Sequence, residues 1–327
     1  MSQAVSIQIS FEKYLKAIEN ARSNNTYKTY RQGINSYSKA LKLNGIDINS
    51  PVDELSPSSI LAFVNFSREN GVCSQTERLY LTVISNYFQF LLIEELSPIN
   101  IERVKGLIKQ YGRKTGKRLI QFPQKAIERV IEYAEQHKPE TNSINSQNLI
   151  DWRNRALLLT LADTGLRINE AVSLKLSDVN FENGTAIIIG KGDKQAVIYF
   201  SARSLKSILE YLAIRSHLDS RSVTSIKNTR VFTRHNRNSW NKLLPISTQT
   251  GEDIVRQMVN LALGDESTMV DITPHSFRHR FVTEIVAKTG NLKLAQELAR
   301  HSSVSITERY THLADIEVKK SFRSVFG

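Results

Sequence analysis

Apolar residues recur every three or four positions through most of the chain and rarely every second position. After a short loose arm over residues 1–10, the first stripe runs over residues 11–22 with Phe11, Leu15 and Ile18 on one face, the 3.6-residue period of a helix. Asn24, Asn25 and Thr26 break and cap the chain there. A second helix over 26–44 has Tyr27, Tyr30, Ile34, Tyr37 and Leu41 as its stripe, with Lys28 and Arg31 between them, and Gly45 stops it. Pro57 stands at the start of a third helix over 58–70, ended by Gly71. Ser74 caps a fourth over 74–95, stopped before Pro98. No strand pattern interrupts this half, so residues 1–103 are expected to form an all-helical domain of four or five helices.

Residues 104–120 change character. From Arg103 to Arg118 the basic residues are Arg103, Lys105, Lys109, Arg113, Lys114, Lys117 and Arg118, with no acidic residue and with Gly106, Gly112 and Gly116 among them. That composition fits a flexible basic linker. A second domain is expected over 121–327, with helices over 124–137 (Ile127, Val130, Ile131 and Ala134 inward), 150–162, 203–217 and 252–263, and a polar loop over 138–148. The period switches at Asn183-Gly184, which opens a hairpin with strands over 185–189 and 196–200 joined by Gly190-Lys191-Gly192-Asp193-Lys194. Residues 219–250 are basic and weakly periodic, with a short strand over 230–233. Thr273-Pro274 caps a helix containing His275 and Arg278, a second segment ends on His301, and a third short helix contains Tyr310. Residues 315–326 form an amphipathic tail. The expected fold is mainly α, with an N-terminal helical domain, a basic linker and an α+β domain with a small antiparallel sheet.

Composition narrows the setting. A chain of 327 residues can bury two cores. No apolar run approaches a membrane span. Glu12 and Lys13 stand where an export signal needs an apolar core, and the single Cys73 can form no internal disulfide. A cytoplasmic protein is expected. The net charge of +12 is uneven: residues 1–112 hold 12 Lys or Arg against 10 Asp or Glu, and residues 113–327 hold 32 against 22. A basic domain of that size suits a polyanion, nucleic acid first, with a merely soluble basic protein as the alternative.

Candidate chemistry gathers in the second domain. In Asp163-Thr164-Gly165-Leu166-Arg167-Ile168-Asn169-Glu170 the glycine permits a sharp turn between helices. Arg167 then stands at a helix start, where free amides and a guanidinium favour an anion. Glu170 can brace that arginine, and a surface salt bridge is the plainer reading of the pair. Lys191, between two glycines on a turn, can reach a ligand or simply face solvent. His275 and Arg278 share a helical face, and Tyr310 follows His301 by nine residues. Such a set can bind a phosphodiester, move protons around it and attack it. His275 and His279 have the spacing of a zinc-binding helix, but Ser276 stands where a metalloprotease has its glutamate, so no metal is expected.

With these residues in this order, the chain resembles the tyrosine recombinases, the phage-integrase, Xer and Cre-like enzymes that cut and rejoin DNA through a phosphotyrosine link. The resemblance spans nearly the whole chain and is strongest over 163–312. It implies a SAM-like core-binding N-terminal domain, and it places the family's motifs on Arg167, Lys191, His275, Arg278, His301 and Tyr310. It implies that Arg167 and Arg278 grip the non-bridging oxygens and that Tyr310 is the nucleophile. His275 would take its proton, Lys191 would protonate the departing 5′ oxygen, and His301 would donate a hydrogen bond to the phosphate. No cofactor or metal is implied. One departure is Arg300, where the family usually has glycine. The implied partner is double-stranded DNA with specific target sites. Its candidate contacts are Thr26, Lys28, Arg31, Gln75, Thr76 and Arg78 on the N-terminal helices, Lys109, Arg113 and Lys117 in the linker, and Arg237 beyond it; a solvated surface is the alternative for each. A homotetramer assembled on DNA, exchanging a tail over about residues 313–327, and a nucleoid-associated cytoplasmic location also follow. The alternatives are a type IB topoisomerase-like activity and a non-catalytic DNA-binding relative.

Overall fold

The computed structural model of the chain describes residues 5–113, 123–140, 145–190, 195–219, 228–235 and 243–300. Lys117, Lys191, Arg237, His301, Tyr310 and the tail lie outside the described residues. The chain divides into two compact units, Met1–Leu119 and Ile120–Gly327.

The first unit holds helices α1 (Ile7–Ala21), α2 (Asn24–Leu43), α3 (Ser59–Glu69), α4 (Ser74–Ile93) and α5 (Ile101–Tyr111). α1 starts four residues before the expected stripe, because Ser6 accepts the Ile9 amide at 3.2 Å and Ile7 is buried. α2 is capped by Ser23, which accepts the Thr26 amide at 3.3 Å. The core is aromatic: Phe11 and Tyr87 lie 4.8 Å apart by ring centroid, and Tyr37, Phe63 and Phe88 surround them. α2 and α4 pack against each other. Asn86 donates to the Tyr30 hydroxyl at 2.9 Å, and a Cβ placed on Gly33 would lie 3.1 Å from Val83.

The segment expected as a loose linker opens with α5. Val104 is fully buried, and Leu107 and Ile108 pack against the same core. Their i, i+3, i+4 spacing was hidden by the surrounding charge. Asn100 caps the helix by accepting the Arg103 amide at 2.9 Å.

The second unit is built around α7 (Ser146–Thr164), which is buried on nearly every side. α6 (Gln124–Gln136), α9 (Ala202–Asp219), α10 (Thr248–Leu263) and α11 (Pro274–Thr289) all pack against it. α7 begins earlier than its leucine run suggests because Asn145 caps it, accepting the Asn148 amide at 2.8 Å. α8 (Ile168–Ser173) follows a tight turn, and α12 (Leu292–Ala299) lies on α11 through Val282, Val286, Ala295 and Ala299.

The sheet has three antiparallel strands in the order β1 (Val179–Asn180), β2 (Thr185–Ile189) and β3 (Gln195–Tyr199). The hairpin expected over 185–189 and 196–200 is present as β2 and β3; Asn183-Gly184, with Gly184 at φ +61°, also turns a further strand, β1, into β2, and two-residue β1 is too short to show a period. The β2–β3 register runs from Thr185↔Tyr199 to Ile189↔Gln195, which places Lys191 in the connection between them. The strand expected over 230–233 is absent. Arg230 and Thr233 make single bridges to Lys175 and Pro245, and Val231 and Phe232 are buried, with Arg215 donating to the Val231 carbonyl at 2.6 Å.

Candidate active site

The turn that ends α7 organises the site. Thr164 donates its hydroxyl to the Thr160 carbonyl at 2.7 Å and accepts the Leu166 amide at 3.3 Å. Between them Gly165 sits at φ +60°, where a side chain is strained, and a Cβ there would lie 2.4 Å from the Phe281 ring. The turn is therefore pressed against α11, and its carbonyl accepts from arginines of that region.

Arg167 is the N-cap of α8. Its amide donates to Glu170 Oε2 and its Nη1 to Glu170 Oε1, both at 2.9 Å. The arginine side chain is 42% exposed, whereas Glu170 is 8% exposed. Burial alone would raise the Glu170 carboxyl. The Arg167 amide and the Arg300 and Arg167 guanidiniums outweigh that and hold it below the usual carboxylate range. Glu170 is thus a fixed anion that aims an exposed cation.

Arg278, 3% exposed, donates Nη1 to the Gly165 carbonyl and Nη2 to the Ala299 carbonyl, which joins the α7–α8 turn, α11 and the end of α12. His275 lies one turn earlier, exposed in the first turn of α11. That helix starts where expected, on Thr273, whose amide donates to Ser276 Oγ at 3.1 Å. Gly290 ends it at φ +64°. The structure thus gathers Arg167, Arg278 and the His275 helix at one turn.

The hairpin of Lys191 is anchored from below. Arg203 donates Nε and Nη2 to Asp163 at 2.7 and 2.6 Å, and Ser201 donates to the same carboxylate. That hydrogen bonding pushes the Arg203 guanidinium up from its ordinary value. The end of α7 is thereby fixed to the exit of β3.

The candidate DNA contacts of the first unit separate into different roles. Thr26, Lys28 and Arg31 lie near the start of α2, with the Arg31 guanidinium 5.7 Å from the Tyr27 ring centroid. Gln75, Thr76 and Arg78 lie in the first turns of α4. Lys109 is exposed on α5. Arg113 is partly engaged within its own unit. Nε donates to Glu77 at 2.6 Å, the backbone amide to the same carboxylate at 3.0 Å, and Nη2 to the Val72 carbonyl at 2.6 Å. Ser67 completes the set at 2.8 Å. The fully buried Glu77 carboxylate needs a cation and Arg113 supplies it, which a charge run in sequence could not reveal.

Glu170's grip on Arg167 was readable from the three-residue spacing. The engagement of Arg300 was not; its only signal was the departure from glycine before His301. Among the described residues no group of His, Cys, Asp and Glu is placed to hold a metal, and no helix is long and apolar enough to cross a membrane.

Known proteins share this architecture. The phage integrase family pattern matches residues 121–317, and the phage integrase N-terminal SAM-like domain matches residues 9–95. The tyrosine recombinase XerD of Staphylococcus saprophyticus is 28% identical over 318 residues, covering 95% of this chain and 96% of that protein. The tyrosine recombinase XerC of Bacillus pumilus is 26% identical over 319 residues, covering 96% and 94%. In fold, the chain is similar to the XerH site-specific recombinase bound to a palindromic difH substrate, with a TM-score of 0.67, 20% identity, and coverage of 98% of this chain and 84% of that one. It is similar also to the Tn1549 transposon integrase in complex with transposon right end DNA, with a TM-score of 0.67, 15% identity, and coverage of 98% and 100%. With the integrase pattern spanning more than half its length and the N-terminal pattern matched beside it, the chain belongs to the phage integrase family of tyrosine recombinases.

Proposed function

We propose that this enzyme cuts and rejoins double-stranded DNA at specific sites, with Tyr310 as the nucleophile. The observation that supports this most is the Gly165 turn, where an exposed Arg167 is aimed by a buried Glu170 beside Arg278 and the His275 helix. The Tyr310 oxygen forms a bond to phosphorus, the bond from phosphorus to the 5′ oxygen breaks, and the phosphodiester energy is kept in a 3′-phosphotyrosine link. His275 takes the phenolic proton, and Lys191 gives a proton to the departing 5′ oxygen. Arg167 and Arg278 offset the charge that grows on the non-bridging oxygens, and His301 donates a further hydrogen bond.

The N-terminal unit grips the duplex through the starts of α2 and α4 and through Lys109, with Lys117 and Arg237 adding phosphate contacts. Four protomers gather on two duplexes, exchanging the tail over about residues 313–327, and the enzyme works in the cytoplasm on the nucleoid. A suicide substrate, nicked close to the cut so that the released fragment is lost, tests the reaction. It should leave the protein covalently attached to DNA, in EDTA and without nucleotide. Failure to trap protein on DNA carrying its target site would overturn the proposal. Sedimentation with paired sites should show four protomers, and a dimer as the largest species would overturn the assembly.

A further inference from the structure

We propose that Arg300 is a positioning residue for cleavage, acting through Glu170 on Arg167. This rests on the recombinase reading above and adds a residue to it.

Arg300 ends α12 in the left-handed region, at φ +55° and ψ +46°, a conformation that costs a β-carbon-bearing residue and that glycine adopts freely. Among the described residues only Glu95 shares a positive φ without being glycine. Strain at an arginine next to His301 needs compensation from what the side chain does. The side chain turns inward, 12% exposed. Its Nη2 donates to Glu170 Oε2 at 3.2 Å and lies 3.4 Å from the Gly165 carbonyl, the same oxygen that accepts from Arg278. Its Nη1 donates to Leu298 at 3.1 Å, and its buried Nε has no hydrogen-bond partner among the described residues.

Two guanidiniums therefore share one carboxylate: Arg167 on Oε1 and Arg300 on Oε2. That division has a consequence for a reaction on an anion. A carboxylate beside a phosphate repels it unless the carboxylate is neutralised. Glu170 must stay ionised to aim Arg167, and Arg300 cancels its charge from the buried side, so the exposed face of the pair stays positive. Burial lowers the Arg300 guanidinium from its ordinary value, which sharpens the need for that carboxylate. Arg300 also fixes the end of α12 against the Gly165 turn. The link from Arg300 to phosphate runs through Glu170 and Arg167, since the Arg300 side chain is covered.

The test uses the full chain and the suicide substrate in single-turnover cleavage at saturating DNA, with affinity measured separately and melting followed for each variant. Arg300→Gly removes the ion pair and relieves the backbone strain, so folding is kept. It should slow cleavage about tenfold while affinity for DNA changes less than about twofold. Arg300→Lys should restore part of the rate, because a point charge reaches Oε2 without the fork. In a Glu170→Gln background, Arg300→Gly should cause little further loss, as expected when one residue acts through the other. If wild-type protein is trapped and Arg300→Gly cleaves at the wild-type rate, or loses only affinity or melting temperature, the positioning role is wrong and the recombinase reading stands. An additive loss in the Glu170→Gln background also overturns it. If wild-type protein is not trapped, the recombinase reading fails and this inference fails with it.

Discussion

Each unit contains a glutamate buried against arginine, and the two are used differently. Glu77 accepts from Ser67, from the Arg113 amide and from its guanidinium, and the arginine's other end is on the Val72 carbonyl. Nε, Nη2 and the amide of Arg113 are all engaged there, and they pin the end of α5 to α4. Glu170 accepts from two arginines, and one of them keeps a side chain 42% exposed. A buried carboxylate whose cation is consumed holds structure together. A buried carboxylate with cation to spare presents charge to a ligand. Arg113 and Arg167 look alike in sequence, and their surroundings divide them.

The sharpest test removes the hydroxyl of the proposed nucleophile. Tyr310→Phe should abolish covalent attachment to a suicide substrate while changing DNA affinity by less than about twofold, since one hydroxyl is lost. A mutant trapped as well as wild type would take Tyr310 out of the reaction. Next come the two arginines of the Gly165 turn. Arg167→Ala should slow single-turnover cleavage by about 10²–10³-fold with little change in melting. Arg278→Ala should slow it as much and also destabilise the second unit by about 2 kcal/mol, because the Gly165 and Ala299 carbonyls lose a charged donor. Equal stability of the two mutants would mean that Arg278 does not hold the turn.

The turn itself can be broken without touching a charge. Gly165→Ala meets Phe281 and adopts a positive φ, so it should cost about 1–3 kcal/mol in urea denaturation. Phe281→Ala in addition should recover the steric part only. A single mutant as stable as wild type would show that the turn has room to move.

The smallest effects separate the two uses of a cation in the first unit. Arg113→Ala should destabilise that unit by about 2 kcal/mol, discounted from a fully buried pair because the arginine is 34% exposed. Lys109→Ala should leave stability within about 0.5 kcal/mol and lower the salt dependence of DNA binding by about one unit of slope. The pair also has a pH signature. Burial would raise the Glu77 carboxyl, but Arg113 and Ser67 together hold it below the ordinary value of 4.5. Its stabilisation is therefore complete above that value and is lost as the pH falls through the lower folded-state value. Arg113→Ala should flatten acid unfolding there; an unchanged acid limb would place the stabilisation elsewhere.

Local order left a clear mark in the chain. The stripes of α1 to α4 and α6, the Thr273 cap, the stops at Gly45 and Gly71 and the β2–β3 pairing follow from side-chain period and from backbone freedom at a few residues, which are properties of short segments. The resemblance likewise placed Arg167, His275 and Arg278 by motif. The remaining features depend on neighbours far away in sequence. α5 was hidden because Val104, Leu107 and Ile108 sit in a run of charge, and only the core they meet makes them a helix face. The partner of Arg113 lies 36 residues away, at Glu77. Arg300 read only as a missing glycine until Glu170, 130 residues earlier, came within hydrogen-bond reach. Periodicity reports which face of an element is buried; it carries no record of which distant charge that face will find, and it is that pairing which makes one arginine a pin and another part of a site.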